Sequence, residues 1–167
     1  IENQEQAYGA GKILGTFHAQ LSNLQHQFVA PRRDIHNTPQ RMEELKSSLN
    51  QAENHPLFAE AIKVGSQILA HWEEWNGTFN NPVRICHGDP KISNIRFAPD
   101  RFDHGCMIDL DTIGPSSLAV EMGDAWRSWC NPAGEDEPQN VCFDLAAFTA
   151  SAEGWLEGWL SKSAKRR

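Results

Sequence analysis

A change of hydrophobic period limits, more than any other feature, what this chain can fold into. Leu14, Phe17, Leu21, Leu24 and Phe28 recur every three or four residues, which gives one apolar helix face, closed by Pro31. "RRDIHNTP" then reads as a connector, and Thr38–Pro39 predicts a helix start with a polar helix running to about Gln51. Pro56 opens a third helix, with Phe58, Ala61, Ile62, Ile68, Leu69 and Trp72 on its buried face and Asn76–Gly77 at its end. There the period switches. "VRIC" at 83–86 is short, apolar and β-branched, so it predicts a strand. "NIRFA" and "GCMIDLD" predict two more, around the turn-rich "PDRFDHG". Helical spacing returns over about 120–129 and 141–161, the last helix burying Phe143, Phe148, Ala152, Trp155, Leu156 and Trp159. The pattern predicts a mainly α fold with a small β insertion, within the size of one domain.

Composition removes several function classes. A net charge of −7 over 167 residues gives no basic field for nucleic acid. No apolar run reaches the length of a membrane span, and no signal peptide is visible. Cys86, Cys106, Cys130 and Cys142 form no C-x-x-C pair, which argues against a zinc ribbon and for a reduced, cytoplasmic setting. The chain opens at Ile1, directly into helix-like sequence, as a piece of a longer protein would.

The chemistry gathers in the β insertion. In "HGDPKISN", Asp89 follows a strand, Pro90 restricts the backbone beside it, Lys91 adds a cation, and Asn94 is near enough to curl back. A base, a cation and a neutral oxygen ligand on one loop suit chemistry on a hydroxyl beside a metal and a phosphate. In "MIDLDT", strand alternation would place Asp109 and Asp111 on one face, where two carboxylates repel unless a cation lies between them. Mg²⁺, a hard ion that takes carboxylate and phosphate oxygens, fits such a pair. Asp111 reads equally well as a turn residue, and Lys91 as a solvated lysine.

His-x-Asp-x-x-x-x-Asn, followed some 20 residues later by an aspartate after an apolar strand, is the catalytic order of kinases. With "HGD" for "HRD" and "IDLD" for "DFG", the chain resembles the aminoglycoside phosphotransferase and choline kinase superfamily. "FHAQL", "IHNTPQR", "MIDLDTIGP", "GDAWRSWCNPAGEDEP" and "FDLAAFTA" are similar to its N-acetylhexosamine 1-kinase branch. The resemblance implies the C-terminal, helical lobe of a protein-kinase-like α+β fold, with ATP and Mg²⁺ as cofactors. It casts Asp89 as the catalytic base, Asn94 and Asp109 as metal ligands, and Asp111 as a second acid. Lys91 would approach the transferred phosphate, His87 would act as a brace, and Asp124 would be a helix-start aspartate supporting the catalytic loop.

One departure is large. The superfamily's first lobe carries a phosphate-covering loop and a lysine on a β-sheet, and "GAGKILG" at 9–15 has neither the Walker spacing nor a strand context. The resemblance therefore covers a single catalytic lobe, residues 1–167, without the nucleotide-binding lobe and inactive when isolated. It implies phosphoryl transfer from ATP to a small-molecule hydroxyl on a sugar or amino sugar. The alternatives are an aminoglycoside or choline-like amino alcohol, a lobe that binds without turnover, and a metal-dependent phosphoester hydrolase built on His87, Asp89, Asp109 and Asp111. Loss of a lobe would expose apolar surface and favour a homo-oligomer. Most of the six tryptophans belong in the core, with Trp126 or Trp129 as candidate sugar platforms.

Overall fold

A computed structural model describes residues 1–29, 36–75, 81–133 and 137–163. The chain divides into two compact units, Ile1–Arg32 with Asn81–Arg167, and Arg33–Asn80. As the period switch predicts, it is mainly α-helical with a small β part. No helix among the described residues is long and apolar enough to cross a membrane.

The first unit is built on two helices, α1 (Gln4–Leu21) and α5 (Leu145–Ser163). They approach backbone to backbone. A Cβ at Gly11 or Gly15 would strike the carbonyl of Ser151 or Trp155, and one at Gly154 or Gly158 that of Tyr8 or Lys12. This closeness changes which residues are buried. The inner face of α5 is Ala147, Ser151, Gly154 and Gly158, while Phe143 and Leu156, expected inside, are exposed. Small residues win this face because large ones would hold the helices apart. α1 also stops earlier than Pro31 suggests, with Ser22 at its C-cap and Leu24 half exposed.

Among the described residues the β part is two separate antiparallel pairs. β1 (Val83–Cys86) pairs with β4 (Gly114–Ser117), Cys86 facing Gly114. β2 (Ile95–Ala98) pairs with β3 (Arg101–Met107), Ile95 facing Met107. The "GPSS" strand carried no strand signal, since glycine, proline and serine are all poor strand formers. α4 (Leu118–Trp129) follows β4 directly, capped by the Ser117 hydroxyl. Leu14, Ile95, Met122, Ala125 and Trp129 form the centre of the core, so α1, the β2–β3 hairpin and α4 converge there.

The second unit is a helical hairpin, α2 (Thr38–Gln51) and α3 (Phe58–Trp75). Asn37, not Thr38, is the N-cap of α2, its side chain accepting the Gln40 N–H at 3.3 Å. Leu49 packs directly on Gly65, the one buried residue of α3. The predicted buried face of α3 is only partly covered: Phe58, Ile62, Leu69 and Trp72 are half-buried, and Ala61 and Ile68 are exposed. The predicted stop at 76–77 lies outside the described residues.

Candidate active site

Strand β1 ends at Cys86, and the loop that follows carries the first acidic cluster. Gly88 lies at φ +85°, a turn that directs the chain away from the strand and is easy only for glycine. Asp89 comes next, its side chain about one-third exposed. Its Oδ2 receives Lys91 Nζ at 2.6 Å and Asn94 Nδ2 at 3.0 Å. The same Asn94 nitrogen donates to the Asp89 main-chain carbonyl at 2.9 Å. A short 3₁₀ turn, Ile92–Asn94, produces this return. Asp89, Lys91 and Asn94 thus share one hydrogen-bonded cluster.

His87 is fully buried and braces this loop against the second acidic segment. Its Nδ1 accepts the Asp89 N–H at 3.3 Å, and its Nε2 bonds the Ile108 carbonyl at 2.8 Å. The Asn94 carbonyl accepts the Ile108 N–H at 2.9 Å. Together with the Ile95–Met107 pairing, this sets Asn94 beside the residue before Asp109.

The second segment departs from strand geometry. β3 ends at Met107, Asp109 is left-handed at φ 64° and ψ 61°, and Leu110–Thr112 is a 3₁₀ turn. Asp109 and Asp111 are both exposed, but on a turn, so the alternation that placed them on one strand face does not apply. Aspartate is among the few residues other than glycine that tolerate this backbone region, which lets the strand stop there. Thr112 Oγ donates back to the His87 carbonyl at 2.8 Å, closing the turn onto the loop.

The loop's main support comes from a residue the sequence reading passed over. Glu121, fully buried on α4, accepts the N–H of His87 at 2.7 Å and of Gly88 at 2.9 Å. Asp124 does not take this role. It lies a turn further along α4, past the helix start, and its carboxylate accepts from Arg127 at 3.0 Å. Burial pushes the Glu121 carboxyl up, but hydrogen bonds from His18 and the Gly88 and His87 amides outweigh it and hold it below the ordinary carboxylate range. His18 Nε2 stands 3.1 Å from Glu121 Oε1, and the Trp155 indole donates to His18 Nδ1 at 3.0 Å. A readable signal existed: Glu121, Ala125 and Trp129 recur every four residues, so a carboxylate sits on the apolar stripe of α4.

His18, Cys86 and Glu121 bring ligand atoms within 4.8 Å of one another. Hydrogen bonds already occupy the imidazole and carboxylate, and burial beside Glu121 keeps the Cys86 thiol protonated, far above its ordinary range. The group therefore works as a brace.

Of the candidate sugar platforms, Trp129 is buried, and Trp126 packs edge-on to Phe148 with ring centroids 4.7 Å apart. Trp129 is thus closed to a ligand, whereas Trp126 is only half-buried.

The arrangement joins a carboxylate, an amide and a lysine on one loop to an aspartate turn across a hairpin end. The sequence profile of the phosphotransferase enzyme family matches residues 1–159. The mainly helical architecture with two small sheets is consistent with the helical lobe of a protein-kinase-like fold. By this match over nearly its whole length, the chain belongs to the phosphotransferase enzyme family.

Proposed function

We propose that the chain is the helical lobe of an ATP- and Mg²⁺-dependent kinase that phosphorylates a hydroxyl of a small molecule, a sugar or amino sugar first and an amino alcohol second. The observation that carries this is the Asp89 cluster: a half-open carboxylate with Lys91 at 2.6 Å and Asn94 at 3.0 Å, beside the Asp109 turn. A kinase of this kind also needs a β-rich lobe to cover the nucleotide. We place that lobe in sequence beyond these 167 residues and call the whole the two-lobe enzyme.

Both donors reach Oδ2 of Asp89, so Oδ1 is the oxygen that orients the acceptor hydroxyl and takes its proton as the phosphoryl group arrives. Lys91, half exposed on a long stem, is placed to exchange its bond to Asp89 for one to the transferred group. Asn94 commits its Nδ2 to Asp89, which leaves its Oδ1 as a neutral ligand oxygen. Together with the carboxylates of Asp109 and Asp111 it would offer oxygen donors only, the chemistry a hard cation requires. Mg²⁺ held there would neutralise charge on the nucleotide phosphates.

ATP consumption by the two-lobe enzyme across a panel of sugars, amino sugars and amino alcohols tests the proposal. Turnover that depends on both Mg²⁺ and one hydroxyl compound is expected. Release of phosphate from simple esters without ATP would instead favour hydrolysis and overturn it.

A further inference from the structure

Five consecutive peptide units around Asp89 each have a side-chain partner. The His87 and Gly88 N–H groups go to Glu121, and the His87 carbonyl accepts from Thr112. The Asp89 N–H goes to His87 Nδ1, and the Asp89 carbonyl accepts from Asn94. The last unit is held by Trp129, whose indole N–H donates to the Pro90 carbonyl at 2.8 Å. Trp129 is 1% exposed and Pro90 is fully buried. Water is therefore a poor substitute partner for that carbonyl.

We infer that Trp129 is a positioning residue for phosphoryl transfer, acting through the Pro90–Lys91 peptide on Lys91. The Pro90 carbonyl and the Lys91 N–H belong to one planar unit, so fixing the carbonyl fixes the direction in which Lys91 leaves the loop. Pro90 contributes no N–H, so the Asp89–Pro90 unit before it is anchored through the Asp89 carbonyl alone. The proline φ is already restricted, so the orientation of its carbonyl is the freedom left to remove. Trp129 removes it from the core outward: the indole is packed with Leu14, Ile95 and Met122, and only its N–H is spent on the loop. The inference rests on the kinase reading above.

The test uses the two-lobe enzyme with Trp129 replaced by β-(3-benzothienyl)alanine, which keeps the ring shape and removes the N–H. Trp129→Phe serves as a second variant. The expected result is a kcat about 10- to 100-fold lower, as misplaced reacting groups give. KM for ATP and acceptor should stay within about twofold, because ground-state binding is untouched. In a Lys91→Ala background the same replacement should cost almost nothing further, since both changes remove one device. An unchanged kcat per folded molecule, or an equal loss with and without Lys91, would overturn the inference. Asp89→Asn is the separate arm: full turnover there would remove the kinase reading itself.

Discussion

Glu121 accepts the main-chain N–H of His87 at 2.7 Å from a fully buried position on α4. The same carboxylate holds Gly88, so one side chain fixes both residues before the proposed base. Glu121→Ala should cost about 3 kcal/mol, because it strips the acceptor from the His87 and Gly88 N–H groups and a buried donor left unsatisfied costs about 1–3 kcal/mol. Glu121→Gln should cost less, since an amide oxygen still accepts one of the bonds. The carboxyl is depressed in the folded state, so its contribution is complete above its ordinary value near 4.5 and is lost as pH falls through the lower folded value. Thermal unfolding across that range should show the gap between wild type and Glu121→Gln narrowing in acid. A gap independent of pH would contradict the assignment.

The hydrogen bonds of His18 and His87 place a proton on Nε2 and a bare nitrogen at Nδ1 in both rings. An indole only donates, so His18 Nδ1 must be bare to accept from Trp155. The His87 Nδ1 must be bare to accept the Asp89 N–H, which leaves its Nε2–H for the Ile108 carbonyl. Nitrogen-15 spectra of the imidazoles in the folded protein should show Nδ1 unprotonated in both. A proton on Nδ1 of either ring would mean that the bracing bonds run differently.

Gly88→Ala should weaken the fold and the site together. Gly88 sits at φ +85°, and a Cβ there would meet the Thr112 carbonyl oxygen at 2.6 Å. The backbone term alone is about 1–2 kcal/mol, and relieving the clash would move Thr112 off the His87 carbonyl. Denaturant unfolding measures the first effect. Stability equal to wild type would show that the loop does not adopt this turn in solution.

Asp109→Asn offers a clean probe of the proposed metal site. Asparagine tolerates the left-handed backbone found at Asp109, so the fold should be kept while the charge is removed. Titration of the two-lobe enzyme with Mg²⁺ and ATP should show affinity falling by at least the ~10–100-fold that even outer-shell metal partners contribute. Unchanged Mg²⁺ dependence would place the ion elsewhere.

Much of the fold could be read from spacing. Among the described residues the period switch located all five helices and two of the four strands, because amphipathic patterns report burial directly; β3 was misplaced, since it begins at Arg101 inside the stretch read as a turn and ends at Met107 before the acids. It misjudged α5, where the buried stripe is alanine, serine and glycine and the large residues lie at the margins. Hydrophobicity marks which residues avoid water, not which let two backbones touch. The strand β4 was missed because its pairing with β1, not its composition, makes it a strand. In the site, the neighbours of Asp89 within its own loop were legible, since Asn94 returns within five residues. Glu121 was not, because its contact to His87 spans 34 positions and exists only once α4 folds over β1. Asp109 shows the opposite limit: two alternating acids imply one strand face until a single left-handed residue breaks the alternation.

The central claim is that Asp89 takes the acceptor's proton during phosphoryl transfer. The most direct test is single-turnover phosphoryl transfer by the two-lobe enzyme, comparing wild type with Asp89→Asn at saturating ATP and Mg²⁺. Asparagine keeps the shape and the bond from Asn94 but cannot accept a proton. The transfer rate should fall by about 10²–10⁴, the range for losing a general base, with ATP affinity retained. Transfer at the wild-type rate in Asp89→Asn would contradict the account.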